Sequence, residues 1–490
     1  MRQWTSLGKI IISFSAIILI SPISSSLVLW QETVSSAWAS NTSAFPNQNI
    51  IRANPSNYLS LLSTLTSGDT LLLDPGIYDQ NGLPVFNLNG TQDKPIIISG
   101  QDGGTRPQIL GHSNQNTVRI DGSSYVIICN LEVNPRNLGG DGVNAQGISH
   151  HITLENLYIH GFSDDQGTVG ISTNRSPVWN WTIRNNIITD GGTGMYLGNS
   201  PGTEPFVNGV IENNLITDTI GYNIEIKHQN PRPNVPGMPT GKSKTIIRNN
   251  VFSKANNASS GGRARPNLLV GHFPLSGPGQ DDVYEIYGNF FYQNPNEALF
   301  QGEGNVAVFS NIFVNTLDSP YPAMNIRPHN DRPRMVRVFN NTMISKNTGI
   351  TVSGGYPEFQ QKVLGNVVFA GTPIQASDVL DNITDVFAAA GNYLVNPFAS
   401  PGQLDLYPRP GKVTGVPITT DSFNGQFTDW NLDFNGTLRD FRFRGSYAGE
   451  GQNPGWLPKL ERKPFKQQTP GPDTSPPAAP TNLNLTILST

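Results

Sequence analysis

Between residues 50 and 400 the chain alternates apolar and polar positions in short runs, each closed by glycine, proline or asparagine. Period-2 runs predict strands, and nothing between them carries the 3.6-residue rhythm of a helix. Ten runs share one feature. ICNLEV, LENLYI, RNNIIT, ENNLIT, RNNVFS, YGNFFY, FSNIFV, FNNTMI, LGNVVF and AGNYLV place an asparagine at 130, 156, 186, 214, 250, 289, 311, 341, 366 and 392. The steps between these positions run from 22 to 39 residues. One supersecondary unit repeated at such an interval predicts a solenoid, and turn–strand–turn–strand units predict an all-β parallel β-helix of about ten or more coils. A β-sandwich with asparagine-rich turns has no reason to repeat one side chain at this interval. Asparagine tolerates the left-handed backbone of a coil corner, and its amide can bond its equivalents in the coils above and below. The apolar residues that follow it (Leu157, Ile187, Leu215, Val251, Phe290, Ile312) are expected to stack inward as a continuous core.

Equivalent positions in successive coils stack about 4.8 Å apart. Aligning the second strand of each unit gives VGIST, MYLGN, IEIKH, LLVGH, LFQGE, MNIRP and ITVSG. In this alignment Val169, Met195, Ile224, Leu268, Leu299, Met324 and Ile350 point inward. Gly170, Tyr196, Glu225, Leu269, Phe300, Asn325 and Thr351 point outward, and Ser172, Gly198, Lys227, Gly271, Gly302, Arg327 and Ser353 leave the strand. One position later come His228, His272, Glu303 and Pro328, with His329 just beyond. Acid, cation and imidazole thus gather on one edge of a chain in which only 14% of residues are charged. Insertions at 230–244 and 254–266 flank the same edge, the latter bringing Arg263 and Arg265. Long loops on one side of a rigid repeat are where binding concentrates. A groove with basic walls and the aromatic rings of Tyr196 and Phe300 suits an acidic sugar chain. The other four histidines (His112, His150, His151, His160) lie off this column and read as structural, and each groove residue taken singly also reads as a solvated strand end.

The bulk numbers narrow the classes. Hydrophobic content of 36% with 50 glycines and 38 prolines describes a turn-rich chain. A net charge of −4 without a basic stripe gives no footprint for nucleic acid. The single cysteine, Cys129, sits in an apolar run and reads as a buried thiol rather than a nucleophile. Residues 1–39 read as a signal peptide, with Arg2 and Lys9 ahead of the apolar stretch from Ile10 to Ile20 and a small-x-small site at Ala37–Ala39. An uncleaved anchor is the alternative. The mature chain is expected outside the cytoplasm, secreted, periplasmic or at the cell surface, as a monomer without a membrane span. Residues 40–400 are assigned to the β-helix with a short capping helix over about 58–65, residues 401–462 to an irregular segment packed on it, and residues 463–490 to a proline-rich disordered tail.

The stretches SGDTLLLDPGIYDQ (Ser67–Gln80) and GTQDKPIIISGQDGG (Gly90–Gly104) resemble the opening coils of secreted right-handed parallel β-helix proteins of the pectate-lyase-like superfamily. That superfamily includes chondroitinase-B-like and alginate lyases, and the resemblance spans roughly residues 50–400. It implies the hand of the helix and, more loosely, uronate β-elimination. This chemistry needs a neutralised carboxylate, a base for the C5 proton and an acid for the leaving oxygen. Lys227 is the candidate base if its surroundings lower its pKa, and His228 or His272 serves as base or acid with less tuning. Arg263 or Arg265 is placed to neutralise the carboxylate or to act near the leaving group. Tyr196, Glu225, Phe300, Asn325, Arg327 and His329 are the substrate-binding candidates, with Arg327 at a distal subsite. In chondroitinase-B-like lyases a pair of upstream carboxylates holds calcium. This sequence offers one, Glu225, so calcium is implied by the resemblance alone and no cofactor is read from the residues. Two other classes stay open. The fold alone suffices for a glycan-binding or envelope scaffold. A glycoside hydrolase would need clustered aspartates, for which Asp164 and Asp165 are the nearest material, together with His272.

Overall fold

The computed structural model describes residues 48–163 and 165–464. Residues 1–47, which include the expected signal peptide, residues 465–490 and Asp164 lie outside the described residues. No helix among the described residues is long and apolar enough to cross a membrane.

Every strand pairing from Asn49 to Asp385 is parallel, and each strand pairs with its equivalents in the preceding and following turns. The coils form a right-handed parallel β-helix. Each coil presents three faces. The first runs from Asn49–Ala53 through Ser149–Glu155 and Lys244–Arg248 to Asp378–Leu380. The second begins just past the asparagine corner, as in Leu215–Ile216 and Phe290–Tyr292, and the third holds Thr193–Leu197, Ile224–Ile226, Leu268–Val270, Phe300–Gly302 and Met324–Ile326. The second and third faces join as one 21-stranded sheet. The strand Thr342–Val352 pairs with both. The capping helix spans Tyr58–Leu62 and buries both of those residues on the first coil.

The asparagine repeat resolves into two adjacent columns. Positive φ belongs to Asn130, Asn156, Asn185, Asn213, Asn249, Gly288, Ser310, Asn340, Gly365 and Asp381, which turn the corner. From Asn185 onward the residue after each of these carries the ladder. Asn214 Oδ1 accepts from the Asn186 backbone N–H (3.0 Å) and from Asn186 Nδ2 (2.9 Å). The same pattern repeats through Asn250, Asn289, Asn311, Asn341 and Asn366 to Asn382. Two expectations are corrected here. Asn130 and Asn156 are corner residues whose ladder positions are filled by buried Leu131 and Leu157, and Asn392 lies in a 3₁₀ turn outside the ladder.

A second correction follows from the first. Because the ladder amide points inward, alternation sends the next residue outward. Val251, Phe290 and Ile312 therefore face away from the helix interior, and Ile188, Ile216, Phe252, Phe291 and Phe313 fill it. The outward apolar row is covered by the C-terminal segment through Leu394, Leu404, Leu406, Phe434 and Tyr447. The same segment lays Phe423 and Phe427 over Phe309 and Phe339 of the first face. Residues 48–53 to 385 thus supply the coils, and the chain beyond them wraps two faces. The Tyr196–Asn325 part of the third face lies outside those two clusters. Cys129 is buried, and burial pushes its thiol up to about 12.

Candidate functional site

The register of the third face places Ser172, Tyr196, Glu225, Leu269, Gln301, Asn325 and Thr351 side by side in one outward row. Phe300 does not belong to it. The backbone amides of Leu299 and Phe300 both donate to the Ala323 carbonyl, so this coil carries one extra residue before its strand. A one-residue slip inverts every side chain. Phe300 is buried in the core against Leu268 and Met324, Gln301 takes the outward position, and Gly302 faces inward, where a Cβ would come within 2.9 Å of the Phe300 ring. Val169 is likewise out of step, since Ile171 pairs with Met195.

Glu225 and Lys227 form an ion pair, Nζ to Oε1 2.8 Å, with the carboxylate 5% and the ammonium 18% exposed. Lys227 also lies over the Tyr196 ring at 5.6 Å. Burial pulls Lys227 down, but the Glu225 charge outweighs it and holds the lysine above its ordinary value. Burial raises the Glu225 carboxyl, against the attraction of Lys227. The pair is therefore a held cation on a buried acid. This corrects the expectation that Lys227 is a low-pKa base.

His228 and His272 stack at 5.1 Å on adjacent coils. His228 Nδ1 lies 3.3 Å from Asn330 Nδ2, which donates to it, and burial and then His272 lower its pKa. It is a neutral ring bridging two coils rather than a free base. His272 Nδ1 donates to the Phe273 carbonyl (3.1 Å), which leaves Nε2 facing Glu303 Oε1 at 4.0 Å. Burial raises the Glu303 carboxyl, while the backbone amides of Asn330 and Asp331 donate to it and oppose that rise.

Next to these groups opens a cleft of about 440 Å³. Its lining includes Tyr222, Arg265, Glu297, Gln301, Glu303, Tyr321, Asn325, Arg327 and His329. Arg265 lies over Tyr222 at 5.7 Å and donates Nη1 to the carbonyls of Gly262 and Ala264. Glu297 accepts from Gln301 Nε2 (2.9 Å) and the Ala298 amide (2.9 Å), and burial raises its carboxyl. Asn325 is 2% exposed, and its amide nitrogen has no hydrogen-bond partner among the described residues.

Of the sequence candidates, Arg265, Asn325, Arg327 and His329 share this cleft. His272 stands beside its lining, facing Glu303, with His228 stacked on it, and Lys227 is paired with Glu225 on the strand next to lining residues Leu269 and Val270. Arg263 is exposed on the 3₁₀ turn Gly261–Arg263 and does not line the cleft. Arg327 is a wall of the same cleft as Arg265, not a distant subsite. The groove is also not basic: Lys227, Arg265 and Arg327 are matched by Glu225, Glu297 and Glu303. Sequence reading missed Tyr222, Glu297, Gln301 and Tyr321. All but Gln301 sit in turns ahead of their strands, where variable turn length hides the column, and Gln301 is hidden by the slip at Phe300.

The residues do not fit a calcium site. Calcium takes six to eight oxygen ligands. Glu225 is the only carboxylate on its strand, and Lys227 occupies it. Among the described residues no group of three or more His, Cys, Asp or Glu side chains is placed to hold a metal.

No protein-family model matches the sequence, and no curated protein matches it. Among solved structures, the chain is similar to a pectate lyase at 15% identity, covering 86% of this chain and 97% of that one, with a TM-score of 0.43. An A-module of mannuronan C-5 epimerase from Azotobacter vinelandii aligns at 16% identity over 70% of this chain and 95% of its own, with a TM-score of 0.39. An alginate lyase from a Paenibacillus species aligns at 16% identity over 58% and 99%, with a TM-score of 0.35. At these scores the fold rests on the strand pairing of this chain itself.

Proposed function

We propose that the chain binds an acidic polysaccharide along its third face and cleaves it by β-elimination. The observation that carries this reading is the cleft lined by Arg265 and Arg327, the unpartnered amide of Asn325 and the high-pKa carboxyl of Glu303, with His272 behind it. The two guanidiniums are suited to a uronate carboxylate. Glu303 is the proton acceptor from C5, since a carboxyl raised toward neutrality is a better base than an ordinary one. His272 Nε2 lies where it can share that proton. Lys227, held protonated by Glu225, is the donor to the leaving oxygen. The C5–H and C4–O bonds break, a C4–C5 double bond forms, and no water is consumed. Tyr222 and Tyr321 offer faces for sugar rings. The similar solved structures named as lyases of pectate and alginate agree with this class without adding weight to it.

The test is a panel of uronic-acid polymers followed for unsaturated ends by ultraviolet absorbance. Glu303→Gln is expected to lower turnover by roughly 10²–10⁴-fold, the usual worth of a proton-transfer group. Binding without unsaturated product identifies a glycan-binding scaffold instead. New reducing ends without ultraviolet absorbance identify a hydrolase, for which Glu297 and Glu303 are the carboxyls in the cleft.

A further inference from the structure

Lys254 is completely buried, and among the described residues no carboxylate pairs with it. Its ammonium donates to three successive backbone carbonyls, those of Thr219 (3.0 Å), Ile220 (3.4 Å) and Gly221. A lysine ammonium has three donors and no acceptor, and here each donor meets a carbonyl. A buried charge without a partner ion is costly, and burial lowers the Lys254 pKa to about 7, so the three carbonyls hold a fully charged ammonium below neutral pH. The rest of the loop makes the same grip. Ser259 donates its amide to the Ile220 carbonyl (3.2 Å), and its hydroxyl lies within reach of the Ile220 (2.8 Å) and Arg263 (2.6 Å) carbonyls. The Asn257 side chain donates to the Asp218 carbonyl (3.3 Å), and Asn256 to the Asp218 carboxylate (3.1 Å). All these donors come from one loop, and all these acceptors but the Arg263 carbonyl from one turn.

Each partner leads into the cleft. The turn ends at Tyr222, and the loop continues through Ser259 to Arg265. Those two residues meet as a cation over a ring, at 5.7 Å. We propose that Lys254 is a positioning residue: its ammonium serves as an internal cation that clamps the 218–221 turn to the 254–266 loop and so fixes the Tyr222–Arg265 wall of the cleft. The clamp itself is a statement about the free protein, and its consequence for glycan binding rests on the reading of the cleft given above.

The experiment compares wild type, Lys254→Ala and Lys254→Met at pH 6, where Lys254 carries its charge, by backbone hydrogen exchange over residues 218–223 and 255–266. In the wild type the amides of Ile220 and Gly221 donate to the Gly191 and Gly192 carbonyls (2.9 and 2.7 Å) and report on the turn. Lys254→Ala is expected to speed exchange there by about tenfold or more, the loss of one local closing interaction. n-Propylammonium, the fragment removed by the substitution, is expected to restore protection, and n-propanol is not. Oligouronate affinity should fall with the clamp and return with the ammonium. Unchanged exchange in Lys254→Ala overturns the proposal, as does equal rescue by the alcohol, which would show that filled space rather than charge matters. Altered exchange with unchanged affinity overturns the positioning role. If Lys254→Ala does not fold, Lys254→Met decides: it keeps the bulk of the side chain without the charge, and unchanged exchange of the turn in that variant refutes the clamp. If no glycan binds the wild type, the proposed function fails while exchange at Tyr222 and Asn223 still decides the clamp.

Discussion

Asn214→Ala and Asn156→Ala are the same substitution in the same sequence motif, yet they should differ several-fold in cost. Asn214 is fully buried and its amide makes four hydrogen bonds: Oδ1 accepts from Asn186 N and Nδ2, and Nδ2 donates to the Ile183 carbonyl and Asn250 Oδ1. Truncation strands the Asn186 amide outright. Asn186 Nδ2 keeps its bond to the Leu154 carbonyl, and Asn250 Oδ1 keeps the Asn214 backbone amide, so those two are only half released. One orphaned buried donor at about 1–3 kcal/mol and two or three weakened bonds at about 1 kcal/mol each give roughly 3–6 kcal/mol. Asn156 instead sits at φ 50 and is partly exposed. Its amide bonds Asn130, Arg106 and Arg462, groups at the helix surface that water can re-satisfy. There alanine loses mainly the tolerance of the left-handed backbone and exposed bonds, about 1–2 kcal/mol. Urea midpoints read at matched slope, with thermal unfolding as a second probe, measure both values. Equal costs for the two variants would refute the two-column reading of the corner.

Glu225→Gln removes the charge that keeps Lys227 protonated. Burial then dominates, so the lysine pKa should drop below its ordinary value, which amine acetylation rates against pH would show, at a stability cost of about 1–3 kcal/mol. Asp141 is raised by burial to about 6, so the folded state binds the proton more tightly than the unfolded chain does between about pH 4 and 6. Its contribution to stability is therefore full at low pH and falls as pH rises to 6. Asp141→Asn, which keeps an acceptor for the Val169 amide, should raise stability at pH 7 by about 1–2 kcal/mol and flatten melting temperature against pH over that window. An unchanged profile in that variant would show that the carboxyl is not perturbed. Gly302→Ala pushes a methyl against the Phe300 ring and should cost about 1–3 kcal/mol by denaturation, whereas a harmless outcome would place Gly302 outside the core.

The solenoid was legible because its signal is local and repeated. An asparagine recurring every 22 to 39 residues beside period-2 strands, with no helical rhythm between, has few other physical explanations. The gathering of Lys227, His228, His272, Arg265 and Arg327 on one edge was legible for the same reason, since stacked coils carry equivalent positions to equivalent places. Phase was not legible. Corner residue and ladder residue are neighbours of like composition, and alternation is known only relative to a starting point, so Val251 and Phe290 could not be told from Phe252 and Phe291. The starting point is set by the backbone at each corner, and by an extra residue such as the one before Phe300. Charge state was also beyond reach, because it is set by the balance between the burial of Lys227 and the charge of Glu225 beside it, and burial depends on every coil around the pair. The covering of the second face by Leu404, Phe434 and Tyr447 joins positions more than a hundred residues apart. Only the packed chain decides contacts of that kind, since no local pattern encodes which distant segment will exclude the water.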